Sequence, residues 1–213
     1  MSDFGLHREI VVILLREYTI TGMKIDNSYN NSKRRGVVIW LSGLPCSGKT
    51  TIGTGLEAKL INSGYLVRML DGDITRKGIC SDLGFSLHDR HENIRRIAEI
   101  AKLFSETGVI TVCAFITPTE ELRQMALQIV GEDNIVNVFV DAPLEVCEQR
   151  DVKGMYKKAR KGEITDFTGV SAPFDIPENP DITLDTADLN PQQSVNELYN
   201  YLIPLIERHE KQV

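Results

Sequence analysis

Five short apolar runs recur from residue 37 onward: Val37–Leu41, Leu66–Leu70, Val109–Phe115, Ile135–Val140 and Ile182–Leu184. Each has the length of a buried strand. Between them lie stretches of helical character. Thr50–Ser63 ends at Gly64, Asp89–Thr107 at Gly108, and Glu120–Val130 at Gly131, while Leu144–Arg150 begins a fourth. A glycine one step past each run suits a helix C-terminus, where the chain turns into the left-handed region. Strands alternating with helices predict an α/β protein with a five-stranded, mostly parallel sheet covered by helices on both faces. Ligands of such sheets bind beyond the carboxyl ends of the strands.

Upstream of the first run the pattern is irregular. Residues 1–35 read as an N-terminal extension and linker, polar from Asp26 to Arg35, and residues 36–213 as the domain proper. The extension's apolar run, Ile10–Leu15, is too short to span a bilayer and carries no cleavage signal. With 213 residues, 42% of them hydrophobic, the chain is long enough for one domain with a sizeable core. A formal net charge of −6 excludes a general basic field, so neither nucleic acid nor membrane is an expected partner, and any anion must be held locally. The four cysteines, Cys46, Cys80, Cys113 and Cys147, form no C-x-x-C pair. That argues against a zinc site or disulfide framework and for a reducing, cytoplasmic setting.

Chemistry enters at residues 43–50, G-L-P-C-S-G-K-T, between an apolar strand and a helix. This is the phosphate-loop pattern in its required context. Gly43, Leu44, Pro45, Cys46, Ser47 and Gly48 form the loop whose backbone N–H groups, Pro45 excepted, encircle a triphosphate. The following helix adds its positive end. Lys49 is expected at the β and γ phosphates and Thr50 on Mg²⁺, so ATP and Mg²⁺ are the expected small-molecule ligands and the fold is of the P-loop NTPase type. The second apolar run leads into Asp71-Gly72-Asp73. Two carboxylates there suit Mg²⁺ handling and deprotonation of an acceptor hydroxyl, and equally a polar turn with an N-cap aspartate.

The segments that follow are more particular: D-G-D-I-T-R to Arg76, then D-L-G-F-S, then D-R-H-E-N-I-R-R, then F-I-T-P at 115–118, C-E-Q-R-D-V-K-G-M-Y-K-K-A-R at 147–160, and F-T-G at 167–169. Over about residues 35–185 the chain resembles the adenylylsulfate kinases, which phosphorylate the 3′-hydroxyl of adenosine 5′-phosphosulfate. The resemblance implies that Asp73 is the catalytic carboxylate, with Asp71 supporting it and Asp73 also near the metal. It implies that Arg76, Arg90 and Asn93 hold the acceptor, that Phe85 and Phe167 sandwich its adenine, and that Ile116 and Thr117 line the same pocket. Lys153 would reach the acceptor from a basic lid whose first member, Arg150, belongs to the nucleotide site. The family's kinases are often dimers, so the resemblance also leaves a homodimer open. Physical chemistry agrees, since a purine favours aromatic faces and a phosphosulfate favours guanidinium forks.

The chain departs from the family's pattern at three places. Ile74 stands for an asparagine, Ser171 for an aspartate, and Thr117 for a serine that is described in some members as a phosphorylated intermediate. Direct transfer is the expected route here, because a deprotonated hydroxyl needs no covalent relay. Two rivals differ in acceptor or class. A sugar-acid or nucleoside-monophosphate kinase lacks the D-L-G-F-S and F-T-G segments. A GTP-binding switch needs a late N-K-x-D, and the nearest string, Met23-Lys24-Ile25-Asp26, precedes the phosphate loop.

Overall fold

The computed structural model describes residues 36–211; the extension assigned to residues 1–35 lies outside the described residues. Strand β1 (Val38–Ser42) is buried at every position. A parallel strand with helices on both faces has no solvent side, so its sequence, V-I-W-L-S, need not alternate. In chain order follow α1 (Lys49–Asn62), β2 (Val67–Asp71), α2 (Gly72–Thr75), α3 (Leu87–Glu106), β3 (Ile110–Ala114), α4 (Glu120–Val130), β4 (Ile135–Asp141), α5 (Leu144–Arg150), α6 (Met155–Arg160), β5 (Ile182–Asp185) and α7 (Pro191–Lys211). The sheet order is β2-β3-β1-β4-β5, and all pairings are parallel.

Successive side chains of β1 serve different cores. Ile39 and Leu41 pack with Ile52, Leu56 and Leu60 of α1 and with Leu198 and Leu202 of α7. Val38 and Trp40 pack on the other face with Ile94 and Ile97 of α3 and Leu122 of α4. Each such burial is worth about 1.5–3 kcal/mol, which pins the register of the strand whose end carries the phosphate loop. From β1 the chain crosses β3 to reach β2, and from β3 it crosses β1 to reach β4. The strand order therefore reverses around β1 and β3, and a crevice opens at their carboxyl ends.

Two elements differ from the sequence expectation. β2 runs one residue later than its apolar run, so Asp71 is the last strand residue and Asp73 lies in the first turn of α2, not at the strand end. The cause is local: the Asp71 carboxylate accepts the Asp73 N–H at 2.9 Å and starts the helix there. The second is α7, for which no helix was expected. Its signal was in the sequence as N-P-Q-Q at 190–193. Asn190 and Gln193 exchange hydrogen bonds at 2.9 and 3.0 Å, a capping box with Pro191 at the first helical position. Val195, Leu198, Leu202 and Ile206 then form the stripe that meets α1. Among the described residues, no helix is long and apolar enough to cross a membrane.

Candidate active site

The phosphate loop joins β1 to α1. Gly43 has φ 151, and a Cβ there would stand 2.4 Å from the Val140 carbonyl oxygen, so only glycine lets the loop pass β4 this closely. Gly48, at φ 108, is the residue before α1. No side chain caps that helix and no acid stands in its first turn, so its leading N–H groups and its dipole are left for an anion. Lys49 is buried, and its ammonium donates to the carbonyls of Gly43 at 2.9 Å and Leu44 at 2.6 Å. Burial pulls its pKa down to about 8 from the ordinary lysine value. Arg150 braces the loop from outside: it donates to the Thr186 hydroxyl at 3.1 Å, and that hydroxyl donates to the Ser47 carbonyl at 2.8 Å.

The two aspartates divide the work. Asp71 is buried, and its Oδ2 accepts the Thr50 hydroxyl at 2.8 Å. Asp73 is exposed and pairs with Lys153 from the segment between α5 and α6. That hydrogen bond raises the Lys153 pKa. The carboxylate joined to Thr50 is thus Asp71, whereas sequence reading had grouped Thr50 with Asp73. The lid that brings Lys153 is tied to the loop through Tyr156, buried, whose hydroxyl donates to the Pro45 carbonyl at 3.0 Å.

Beyond Asp73, on the α3 side, lies a second cluster. The Arg76 guanidinium sits 4.5 Å from the centre of the Phe85 ring, and the Arg90 guanidinium 6.0 Å from it. Both donate to carbonyls: Arg76 to Gly84 at 2.8 Å, Arg90 to Phe85 at 2.9 Å and Asp166 at 2.5 Å. Among the described residues neither makes a salt bridge, although Asp73 and Asp89 act on Arg76 and Asp166 on Arg90 electrostatically. Burial lowers both pKa values, and for Arg90 the charge of Arg76 adds to it. Arg90 also reaches Thr168 at 3.2 Å and so links the Phe85 and Phe167 segments. Phe85 is 63% exposed, a large aromatic face open to solvent, and Phe167 is half-buried edge-on against Tyr156 at 5.0 Å. Asn93 is buried with its amide nitrogen unpartnered. By contrast Arg95 and Arg96 are engaged with Glu92 at 2.7 and 2.8 Å, which holds the Glu92 pKa at about 2 and makes them a surface network.

Comparison with known proteins decides the family. The family model for adenylylsulphate kinase matches residues 35–185. The adenylyl-sulfate kinase of Bacteroides fragilis is 55% identical over 178 residues, 84% of this chain and 88% of that protein. That of Clostridium acetobutylicum is 48% identical over 182 residues, 85% of this chain and 90% of that protein. A solved structure of the Mycobacterium tuberculosis APS kinase in complex with AMPPNP and APS is 40% identical with a TM-score of 0.77, covering 79% of this chain and 98% of that one. The chain belongs to the adenylylsulphate kinase family.

Within this adenylylsulphate kinase the three departures from pattern have clear places. Ser171 accepts the Phe167 N–H at 3.0 Å, so its hydroxyl closes the F-T-G turn as a carboxylate oxygen would. Ile74 is 68% exposed on α2 and touches nothing that explains the change. Thr117 is buried, its hydroxyl accepts the Trp40 indole N–H at 2.9 Å, and its φ is 45. Next to it, the Ile116 carbonyl accepts the Gly43 N–H at 3.3 Å, joining the turn after β3 to the phosphate loop. Sequence reading missed Tyr156, Thr186 and Trp40, which hydrogen-bond to Pro45, Ser47 and Thr117 of the site. Only Tyr156 stood inside a quoted motif. Thr186 and Trp40 lie far along the chain from what they hold. A groove of about 590 Å³ beside Leu44, lined by Phe139, Pro143, Phe174 and Ile176, is mainly apolar and reaches Gly169 and Ser171 of the F-T-G turn, but not Lys49, Asp73, Arg76 or Arg90.

Proposed function

We propose that this protein transfers the γ-phosphoryl group of ATP to the 3′-hydroxyl of adenosine 5′-phosphosulfate, giving ADP and 3′-phosphoadenylyl sulfate. The observation that carries this reading is an uncapped helix N-terminus with buried Lys49 on one side and, on the other, two guanidinium groups without a salt bridge beside an open Phe85. A triphosphate suits the first side and an anionic purine nucleotide the second. Asp73 stands between them in role. The 3′-oxygen bonds to the γ-phosphorus while the bond from that phosphorus to the β,γ-bridging oxygen breaks. The hydroxyl proton passes to the Asp73 carboxylate, and ADP leaves with the electron pair. Lys49 offsets charge on the transferring group, and Lys153 on the lid, paired with Asp73, adds a second cation.

Thr50 and Asp71 fit a magnesium ion. Their 2.8 Å hydrogen bond orients the hydroxyl, and these two residues would hold the ion together with substrate phosphates. Asp73 would be a further carboxylate near it. Such an ion supplies charge neutralisation at the phosphates. Direct transfer is supported by Thr117, whose hydroxyl is buried and already engaged by Trp40. A cytoplasmic setting belongs to the same reading, supported by the free thiols of Cys46, Cys80, Cys113 and Cys147. A homodimer is carried with it from the family resemblance.

The test is coupled detection of ADP from purified protein given ATP and a panel of acceptors. Turnover with adenosine 5′-phosphosulfate and none with gluconate or nucleoside monophosphates is expected. The reverse order of acceptors would overturn the reading. Phe85→Ala and Phe167→Ala each remove an aromatic face worth about 1–3 kcal/mol against a base, so KM for adenosine 5′-phosphosulfate rises about tenfold or more and KM for ATP changes less. Equal weakening of both substrates would make these side chains packing residues. The depressed Lys49 pKa sets a pH limb: the ammonium is charged below about pH 8 and lost above it in the free enzyme. Hence kcat/KM for ATP falls above that value, while kcat, reporting the phosphate-bound ammonium, holds further. A kcat/KM that stays level into the ordinary lysine range would refute the role of burial.

A further inference from the structure

Arg123, near the start of α4, is a charged side chain that is only 7% exposed. Both burial and position count against it. A buried guanidinium costs free energy unless its bonds are made, and a cation in the first turns of a helix opposes the dipole. Its Nη2 is buried without a partner, which adds to the cost. What it does make is particular. Its Nε pairs with Glu120 at 2.8 Å, and its Nη1 donates to the Thr117 carbonyl at 3.0 Å.

Thr117 is the residue held with φ 45, a left-handed conformation that a β-branched side chain disfavours. Three consecutive carbonyls run through this turn, each tied elsewhere. Ile116 accepts from Gly43 of the phosphate loop at 3.3 Å, Thr117 from Arg123, and Pro118 from Asp175 at 2.8 Å. Asp175 follows Phe174, whose ring lies 5.9 Å from the Arg123 guanidinium and stacks on Phe139 at 6.2 Å. The Asp175 carboxylate in turn accepts the Glu120 N–H at 3.2 Å. Arg123 therefore sits where the turn after β3, the start of α4 and the strap that continues from the Phe167 clamp meet.

We propose that Arg123 is a positioning residue for phosphoryl transfer. Its bond to the Thr117 carbonyl holds the strained turn whose backbone lines the acceptor pocket and anchors the phosphate loop at Gly43. An ion pair needed only for stability would not require the strained carbonyl. The inference rests on the acceptor reading above, and wild-type turnover with adenosine 5′-phosphosulfate tests that reading separately.

The experiment compares three variants of the full chain by steady-state kinetics, varying each substrate in turn, well below each melting temperature. Arg123→Met keeps length and apolar packing but cannot donate. KM for adenosine 5′-phosphosulfate is expected to rise at least about tenfold, the size of one lost charged hydrogen bond, with a smaller rise in KM for ATP. Arg123→Lys, which retains one donor, recovers part of that loss. Glu120→Gln removes the ion pair and leaves the bond to Thr117, so it lowers the melting temperature without moving either KM. Should Arg123→Met not fold, the Arg123→Lys and Glu120→Gln pair carries the same contrast. The proposal is overturned if the Arg123 variants lower only melting temperature, if both substrates weaken equally, or if Glu120→Gln reproduces the acceptor defect.

Discussion

Lys49→Ala lowers kcat by at least about 10²–10³-fold and leaves the fold intact. The size follows from removing one charged donor aimed at a phosphoryl group in a site from which water is excluded. Retention of the fold follows from the environment of Lys49. Its burial holds the pKa near 8, so the charged form is held against a desolvation cost, and the side chain is not a packing element that a core needs. Its hydrogen bonds to the Gly43 and Leu44 carbonyls and to the Ser47 hydroxyl are the local cost of removal, and all three partners belong to the phosphate loop. The measurements are kcat and the melting temperature on the same preparation. A folded variant with near wild-type kcat refutes the assignment. A variant that loses both activity and the fold makes Lys49 a structural residue of the loop.

Asp73→Asn lowers kcat by about 10²–10⁴-fold, the usual worth of a positioned general base, while adenosine 5′-phosphosulfate still binds. Asparagine keeps size and shape but cannot take the proton. The exposure of Asp73 and its pairing with Lys153 sharpen the reading. An exposed carboxylate is not needed for packing, so Asp73→Asn is expected to leave the melting temperature within the usual range for surface changes, about ±0.5 kcal/mol. Asp71→Asn is the contrasting case: Asp71 is buried, takes the Thr50 hydroxyl and caps α2, so stability and metal dependence change together. If Asp73→Asn altered only KM for ATP, Asp73 would belong to the metal site and not be the base.

The site was legible in the sequence where its parts are contiguous. G-L-P-C-S-G-K-T between a strand and a helix specifies backbone geometry over eight residues, and local spacing is all that geometry needs. D-L-G-F-S with D-R-H-E-N-I-R-R places Phe85, Arg90 and Asn93 within one turn-and-helix unit, shortly after Arg76 at the end of D-G-D-I-T-R. Arg90, Arg95 and Arg96 illustrate the limit of such reading. The resemblance alone singled out Arg90; in the structure Arg95 and Arg96 are engaged by Glu92, while Arg90 turns to Asp166 and Thr168, far along the chain. No local pattern separates them, because the partner of Arg90 arrives only when the F-T-G segment folds over the crevice.

The sequence by itself determined the alternation of strands and helices, the phosphate loop and the candidate acids, since period, glycine placement and helix capping are set by neighbours a few residues away. Even α7, passed over in the sequence reading, was written in N-P-Q-Q and a spaced apolar stripe. Only the tertiary structure decided that Asp71 serves Thr50 while Asp73 meets Lys153, that Tyr156 ties the lid to Pro45, and that Thr117 is held between Trp40 and Arg123. These contacts join strand ends to the loops and helices that follow other strands, brought together by the order β2-β3-β1-β4-β5. That order is selected by how both faces of the sheet are buried, a sum over the whole core which no single stretch of chain carries.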